Sequence, residues 1–138
     1  MSDRDEWTIR TVEAIGEVEA DAWDACAAPA GRPRNPFLTH AFLHALEASG
    51  SAVPDRGWQP CHLLLEDPEG RLAGAVPLYA KGHSRGEYVF DYAWADAFHR
   101  AGGRYYPKLL SAVPFTPVTG PRLLVAEDAE SREAIDAR

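Results

Sequence analysis

Along the chain, apolar positions first recur with period two and then with the spacing of a helix. Trp7, Ile9 and Thr11 alternate with Thr8, Arg10 and Val12, which predicts a strand over 7–12. Within EVEADAWDACAA, Val18, Ala22, Trp23 and Cys26 share one face and acids the other, so a short amphipathic helix is expected over 17–28, stopped by Pro29 and Gly31. A Pro/Gly/Arg loop follows over 30–34. Asn35-Pro36 then has the form of a helix entry, with a capping side chain followed by proline. Phe37, Leu38, Phe42 and Leu46 carry that helix to about Ser49, before Gly50.

The clearest local signal is CHLLLE and RLAGAVPLYA flanking Asp67-Pro68-Glu69-Gly70, whose residue types suit a tight turn and predict a hairpin. Gly74 and Pro77 interrupt its second strand, where a bulge or an unpaired edge is expected. The segment 51–60 reads as an irregular connection and 81–85 as a polar loop. A short strand over 88–92, a helix over 93–101 ended by Gly102-Gly103 and a strand over 108–113 complete the reading. This order predicts an α+β fold, a mostly antiparallel sheet with flanking helices and one parallel pair around the 93–101 helix.

Aromatic residues crowd into 86–125: Tyr88, Phe90, Tyr92, Trp94, Phe98, Tyr105, Tyr106 and Phe115, followed by Pro114, Pro117 and Pro121 within a stiff stretch. Set among these rings are Asp91, Asp96, His99, Arg104 and Lys108, a combination that suggests a binding wall. Charge reinforces this reading. The formal net charge is −7, which argues against a DNA-binding surface, yet residues 81–122 hold six bases against three acids, while residues 1–28 hold eight acids against two bases. The cationic stretch reads either as ordinary surface charge on a helix and loops or as the face of an anionic ligand.

Other constellations carry less. Gly82-His83-Ser84-Arg85-Gly86 matches G-x-S-x-G, but a nucleophile elbow leads into a helix and needs a much larger sheet, so a plain loop is expected. His40 and His44 have zinc-compatible spacing without a third ligand or a general-base glutamate between them. Gly102-Gly103 follows a helix instead of preceding one, which suits a stop and not a phosphate cradle. Cys26 and Cys61 read as reduced thiols. No stretch approaches the ~20 apolar residues of a membrane span, and a cytoplasmic protein is expected. Twelve Arg against two Lys suit a bacterial genome rich in G and C.

GEYVFDYAWADAFHRAG, RYYPKLLSAVPFTPVTGPRLL, NPFLTHAFLHALE and VPLYAKGHSRGEYVFD resemble the N-terminal part of the FemAB-like family of bacterial N-acyltransferases of peptidoglycan biosynthesis or recognition, within the GNAT-like superfamily. The resemblance implies a GNAT-like domain over 1–125 and a donor, acyl-CoA or aminoacyl-tRNA, whose acyl or aminoacyl group passes to an amine acceptor such as a peptidoglycan precursor. Q/R-x-x-G-x-G/A, the acyl-CoA pyrophosphate loop of GNAT enzymes, has no counterpart here. The chain is therefore expected to be the N-terminal part of a longer domain, without donor binding of its own, with a frayed charged tail over 126–138 and pairing of two chains through an open sheet edge near 108–113.

For such chemistry the candidate bases are Asp91, Asp96 and His99, with Asp91 also placed to cap the 93–101 helix. Tyr88, Trp94, Tyr105, Lys108, Thr116 and Arg122 are the candidate binding groups, and no metal ligands are expected. The rival reading is a non-catalytic module that uses the same wall to hold a cell-wall precursor or another anionic ligand.

Overall fold

The computed structural model describes residues 6–29, 33–88 and 90–126. The expected tail beyond Ala126 and most of the expected 30–34 loop lie outside these. The strands are β1 (Thr8–Val12), β2 (Trp58–Pro60), β3 (His62–Glu66), β4 (Leu72–Val76), β5 (Tyr79–Lys81), β6 (Lys108–Leu110) and β7 (Leu124–Val125); the helices are α1 (Ala20–Ala27), α2 (His40–Ala48) and α3 (Tyr92–Arg100). The strands form a four-stranded sheet, β1-β3-β4-β7, and a three-stranded sheet, β2-β5-β6. Every described pairing is antiparallel, so the fold is α+β and mostly antiparallel as expected, and consistent with a GNAT-like arrangement.

Among the described residues the expected parallel pair around the third helix does not form. Of the expected 88–92 strand, Tyr88 and Phe90 are exposed and lie in no strand, and Tyr92 already opens α3. The rings at 88 and 90 face solvent.

The predicted hairpin is β3–β4. Asp67 organises its turn, one carboxylate oxygen accepting from the Glu69 and Arg71 amides at 2.9 Å each and the other from Arg71 Nε at 2.8 Å, while Gly70 takes the left-handed conformation at φ 82°. The register shifts between Leu65 and Glu66, opposite the Gly74 segment where a bulge was expected. Pro77 does more than bend the second strand. It has no N–H to offer the ladder, so β4 ends at Val76 and the chain resumes as β5 in the other sheet. Pro60 closes β2 at the corresponding place, and the two sheets meet at this break.

The seam is filled by His62, fully buried. Its Nδ1 accepts from the Leu78 amide (3.1 Å), so the proton sits on Nε2 and is donated to Glu47 of α2 (3.0 Å), whose other oxygen accepts from the Ile15 amide at 2.9 Å. The main core lies between the four-stranded sheet and α1 with α2, around Trp23, Leu38, Leu43 and Leu64. Trp23 is fully buried and satisfied through Nε1 to the Leu38 carbonyl at 2.9 Å. A second cluster of Ala52, Trp58 and Tyr79 backs the three-stranded sheet.

The helix entry at Asn35-Pro36 is split. Asn35 and Pro36 open a single 3-10 turn over Pro36–Leu38, and Thr39 caps α2 itself by accepting from the Phe42 amide.

Candidate functional site

Seven polar side chains converge beside the three-stranded sheet. Tyr79 and Lys81 are two apart on β5 and so face the same way, inward. Lys81 is fully buried, its Nζ 3.6 Å from the Trp58 ring centroid and donating to the Arg85 carbonyl at 2.8 Å. Burial pulls its pKa down to about 8, the neighbouring Lys108 and Arg85 adding to the effect and Glu87 opposing it.

Lys108 opens β6 and is the hub. It donates to Glu87 Oε1 (2.6 Å), to Ser84 Oγ (3.0 Å) and to Asp91 Oδ2. Burial alone would lower its pKa, but the bonds to Asp91 and Glu87 outweigh this and raise it, so it is held as an ammonium. Asp91 also accepts from the Tyr105 hydroxyl at 2.6 Å. Its burial favours the neutral acid, yet the bonds from Lys108, Ser84 and Tyr105 win and bring its pKa to about 2. Asp91 occupies the cap position of α3, but its side chain makes no capping bond and serves this network instead. Ser84 and the Tyr106 hydroxyl share a further bond.

Two carboxylate oxygens of this network, Glu87 Oε2 and Asp91 Oδ1, are buried and have no hydrogen-bond partner. Such atoms are costly to leave bare and mark where a donor is wanted. Lys81 Nζ, at 3.8 Å, gives Glu87 Oε2 charge but no bond.

Two cavities flank the network and share Trp58 and Gly86. The smaller, about 270 Å³, is lined among others by Glu87, Tyr88, Thr116 and Arg122. The larger, about 560 Å³, is lined among others by Arg56, His83, Arg85 and Phe115. Neither Arg56 nor Arg85 has an ion-pair or hydrogen-bond partner for its guanidinium among the described residues. His83 ties their loops together: its Nδ1 accepts from the Arg85 amide at 3.0 Å, and its ring fills the space a Cβ on Gly57 would need, 2.2 Å from Nε2. Its pKa is lowered by burial and by Lys81 and Arg85, so the ring stays neutral at physiological pH.

The sequence-derived candidates divide into three groups. Asp91, Tyr105 and Lys108 are joined in the network. Tyr88, Thr116 and Arg122 line the smaller cavity, where Thr116 Oγ1 accepts from the Val118 amide and Arg122 donates to the Val118 carbonyl at 3.0 Å. Asp96, His99 and Trp94 stand apart on α3: Asp96 pairs with Arg100, His99 rests edge-on against Tyr106, and Trp94 is 75% exposed. Sequence reasoning missed Lys81, Glu87, Arg56 and Arg85 as site residues. For Lys81 the signal was its parity with Tyr79; for the loop residues no periodicity exists to read.

Ser84 is buried between Lys108 and Tyr106, with no imidazole bonded to it, and so lacks the base that a nucleophilic serine requires. His40 Nε2 lies 2.9 Å from both the Ile15 and Val18 carbonyls and its ring stacks on His44, which accounts for the His pair structurally. Among the described residues no three of His, Cys, Asp and Glu are grouped to hold a metal ion, and no helix is long and apolar enough to cross a membrane.

No curated protein and no solved structure matches the chain. The family model of the FemAB-like proteins, described as peptidoglycan biosynthesis/recognition, matches residues 14–137 and thus nearly all of the sequence. With that extent of match the chain belongs to the FemAB-like family.

Proposed function

We propose that the chain forms the acceptor side of an N-acyl transfer in peptidoglycan biosynthesis, holding an amine of a cell-wall precursor at Glu87. The observation that carries this is the Glu87 carboxylate at a cavity of about 270 Å³: Lys108 clamps one oxygen, while the other, Oε2, is buried with charge from Lys81 at 3.8 Å but no hydrogen-bond donor. An ammonium or amine entering there supplies the missing N–H donor. Lys108, Asp91 and Tyr105 act as positioning groups that fix the Glu87 carboxylate, while Thr116 and Arg122 at the cavity wall meet polar parts of the acceptor. The unpaired Arg56 and Arg85 in the adjoining cavity suit an anionic portion of the same precursor.

In the transfer, the amine nitrogen attacks the donor's acyl carbon, loses a proton and expels the donor's thiol or hydroxyl. A carboxylate accepting the amine's hydrogen bond aims the nitrogen lone pair and draws off developing positive charge. The donor class is acyl-CoA or aminoacyl-tRNA.

Calorimetry of the whole chain with a muropeptide bearing a free amino group, and with its N-acetylated form, tests the assignment. Binding of the free amine and at least about tenfold weaker binding of the acetylated form is expected, with Glu87→Gln erasing the difference. Equal binding of the two forms would overturn it. Amine-dependent binding by the chain, with no turnover of either donor class by a protein containing this domain, would favour the recognition role over transfer.

A further inference from the structure

Around Lys81 the site carries an excess of positive charge before any acceptor arrives. Lys81 closes β5, Arg85 and Glu87 follow it, Asp91 precedes α3 and Lys108 opens β6, so three cations meet two carboxylates. From β2 the Trp58 ring faces Lys81, and that strand has no ionisable side chain. His83, between Lys81 and Arg85, stays neutral and has no proton to yield.

The three cations hold their protons differently. Lys108 is bonded to both carboxylates, to Glu87 Oε1 at 2.6 Å and to Asp91 Oδ2. Arg85 is exposed, and a guanidinium keeps its charge at any ordinary pH. Of the three, Lys81 alone is fully buried without a hydrogen bond to a carboxylate. Its Nζ donates to the Arg85 carbonyl at 2.8 Å, lies over the Trp58 ring and stands 3.8 Å from Glu87 Oε2. Burial weighs against the charge and brings its pKa to about 8. A neutral Lys81 retains two N–H groups and so keeps its bond to the Arg85 carbonyl.

Glu87 Oε2 is also the oxygen without a donor. An acceptor ammonium bonded to it at about 2.8 Å lies no more than about 7 Å from Lys81 Nζ, whatever its direction of approach. Two unit charges so close in a poorly screened site repel enough to weaken binding roughly tenfold or more. Lys108 is tied to both carboxylates, which leaves Lys81 as the group able to relieve the repulsion.

We infer that Lys81 yields its proton when an ammonium-bearing acceptor binds Glu87, so that the acceptor nitrogen and Lys81 hold one proton between them. This rests on the acceptor reading above and adds the fate of the proton. With the retained proton on Lys81, the nitrogen stands in the site as the neutral amine that attack on an acyl carbon requires.

Calorimetry of the whole chain with a muropeptide bearing a free alkyl amine, run in two buffers of different ionisation enthalpy, counts the protons released. Because the free ligand and Lys81 are both mostly protonated at pH 7, release of about one proton is expected there, falling to about none at pH 9. Over the same range the affinity should rise about tenfold. Lys81→Met should bind the amine with no proton released at pH 7 and with an affinity independent of pH. The N-acetylated muropeptide should release none from the parent chain. The proton count on the parent chain needs no variant, so the test stands even where Lys81→Met folds poorly. Amine-dependent binding with no proton released at pH 7, or release that persists in Lys81→Met, would overturn this inference and leave the acceptor site standing. Equal binding of the free and acetylated muropeptides would overturn both.

Discussion

The Lys81 ammonium stands 3.6 Å from the centroid of the Trp58 ring, a buried cation on an aromatic face in the wall between the two halves of the site. Its folded pKa of about 8 lies below the ordinary lysine value of 10.5. Between these values the unfolded chain binds more protons than the folded one, so stability rises with pH across that window. Below pH 8 the full cost of the buried charge is present. Urea unfolding from pH 7 to pH 10 should show a gain of about 2 kcal/mol attributable to this lysine, and Lys81→Met should lack it. Parallel curves for the two proteins would mean that Lys81 is not strained by burial.

Asp91 has the opposite sense. Its folded pKa of about 2 is below the ordinary 3.8, so its stabilisation is complete above the ordinary value and is lost as pH falls through the folded one. Asp91→Asn should lower stability by about 2 kcal/mol near neutrality, with the gap to the parent chain narrowing as pH drops from about 4 to about 2. Acid titration followed by near-ultraviolet circular dichroism checks this. A gap independent of pH would place the loss in packing and not in the carboxylate charge.

How much of this was legible beforehand differs by element. The β3–β4 hairpin was readable because Asp67 to Gly70 specifies its turn within four residues, and α1 and α2 because their apolar spacing is local. The division into two sheets was not. Pro77 was seen as an interruption, but which strand the chain joins next depends on β2, three residues ending in Pro60 with no pattern of their own. In the site, Asp91, Tyr105 and Lys108 were read as chemistry-bearing from residue type; pairing of β5 with β6 sets Lys108 opposite Lys81, and Asp91 at the start of α3 joins Lys108 to Tyr105 through tertiary contacts. Glu87 sits in an irregular segment where a charge is normally solvated, and only the tertiary contacts with Lys81 and Lys108 make it a site residue.

Ser84 should prove structural. Lys108 donates to it, and Lys108 is held as an ammonium and so offers no base. Ser84→Ala should therefore reduce stability by about 1 kcal/mol through the lost bonds to Tyr106 and Lys108. Transfer activity of a protein containing this domain should stay within about threefold, since no covalent step passes through the hydroxyl. A covalent adduct at Ser84 with a fluorophosphonate probe, read by mass spectrometry, would reverse this assignment.

Gly86 is the position at which a single methyl group should separate the fold from the site. It adopts φ 83°, and a Cβ there would lie 2.6 Å from the Phe115 ring and 3.2 Å from the Trp58 ring. Phe115 itself holds a left-handed backbone at φ 63° and donates its amide to the Gly86 carbonyl at 3.1 Å, so it is anchored where the methyl group must go. Two effects follow from Gly86→Ala. The left-handed backbone costs roughly 1 kcal/mol for an L side chain. Beyond that, the Phe115 ring, which is 39% exposed, must swing off Trp58 and enlarge the opening between the cavities that Trp58 and Gly86 divide. The expected outcome is a modest loss of stability, about 1 to 2 kcal/mol, together with a larger relative loss of acceptor binding, at least about tenfold, because the wall beside Glu87 is no longer fixed. Phe115→Ala in the same background should restore part of the stability by removing the clash while leaving binding weak. Acceptor binding by Gly86→Ala equal to that of the parent chain, with a stability loss no larger than the backbone cost, would show that the ring moves aside freely and that this wall is not rigid.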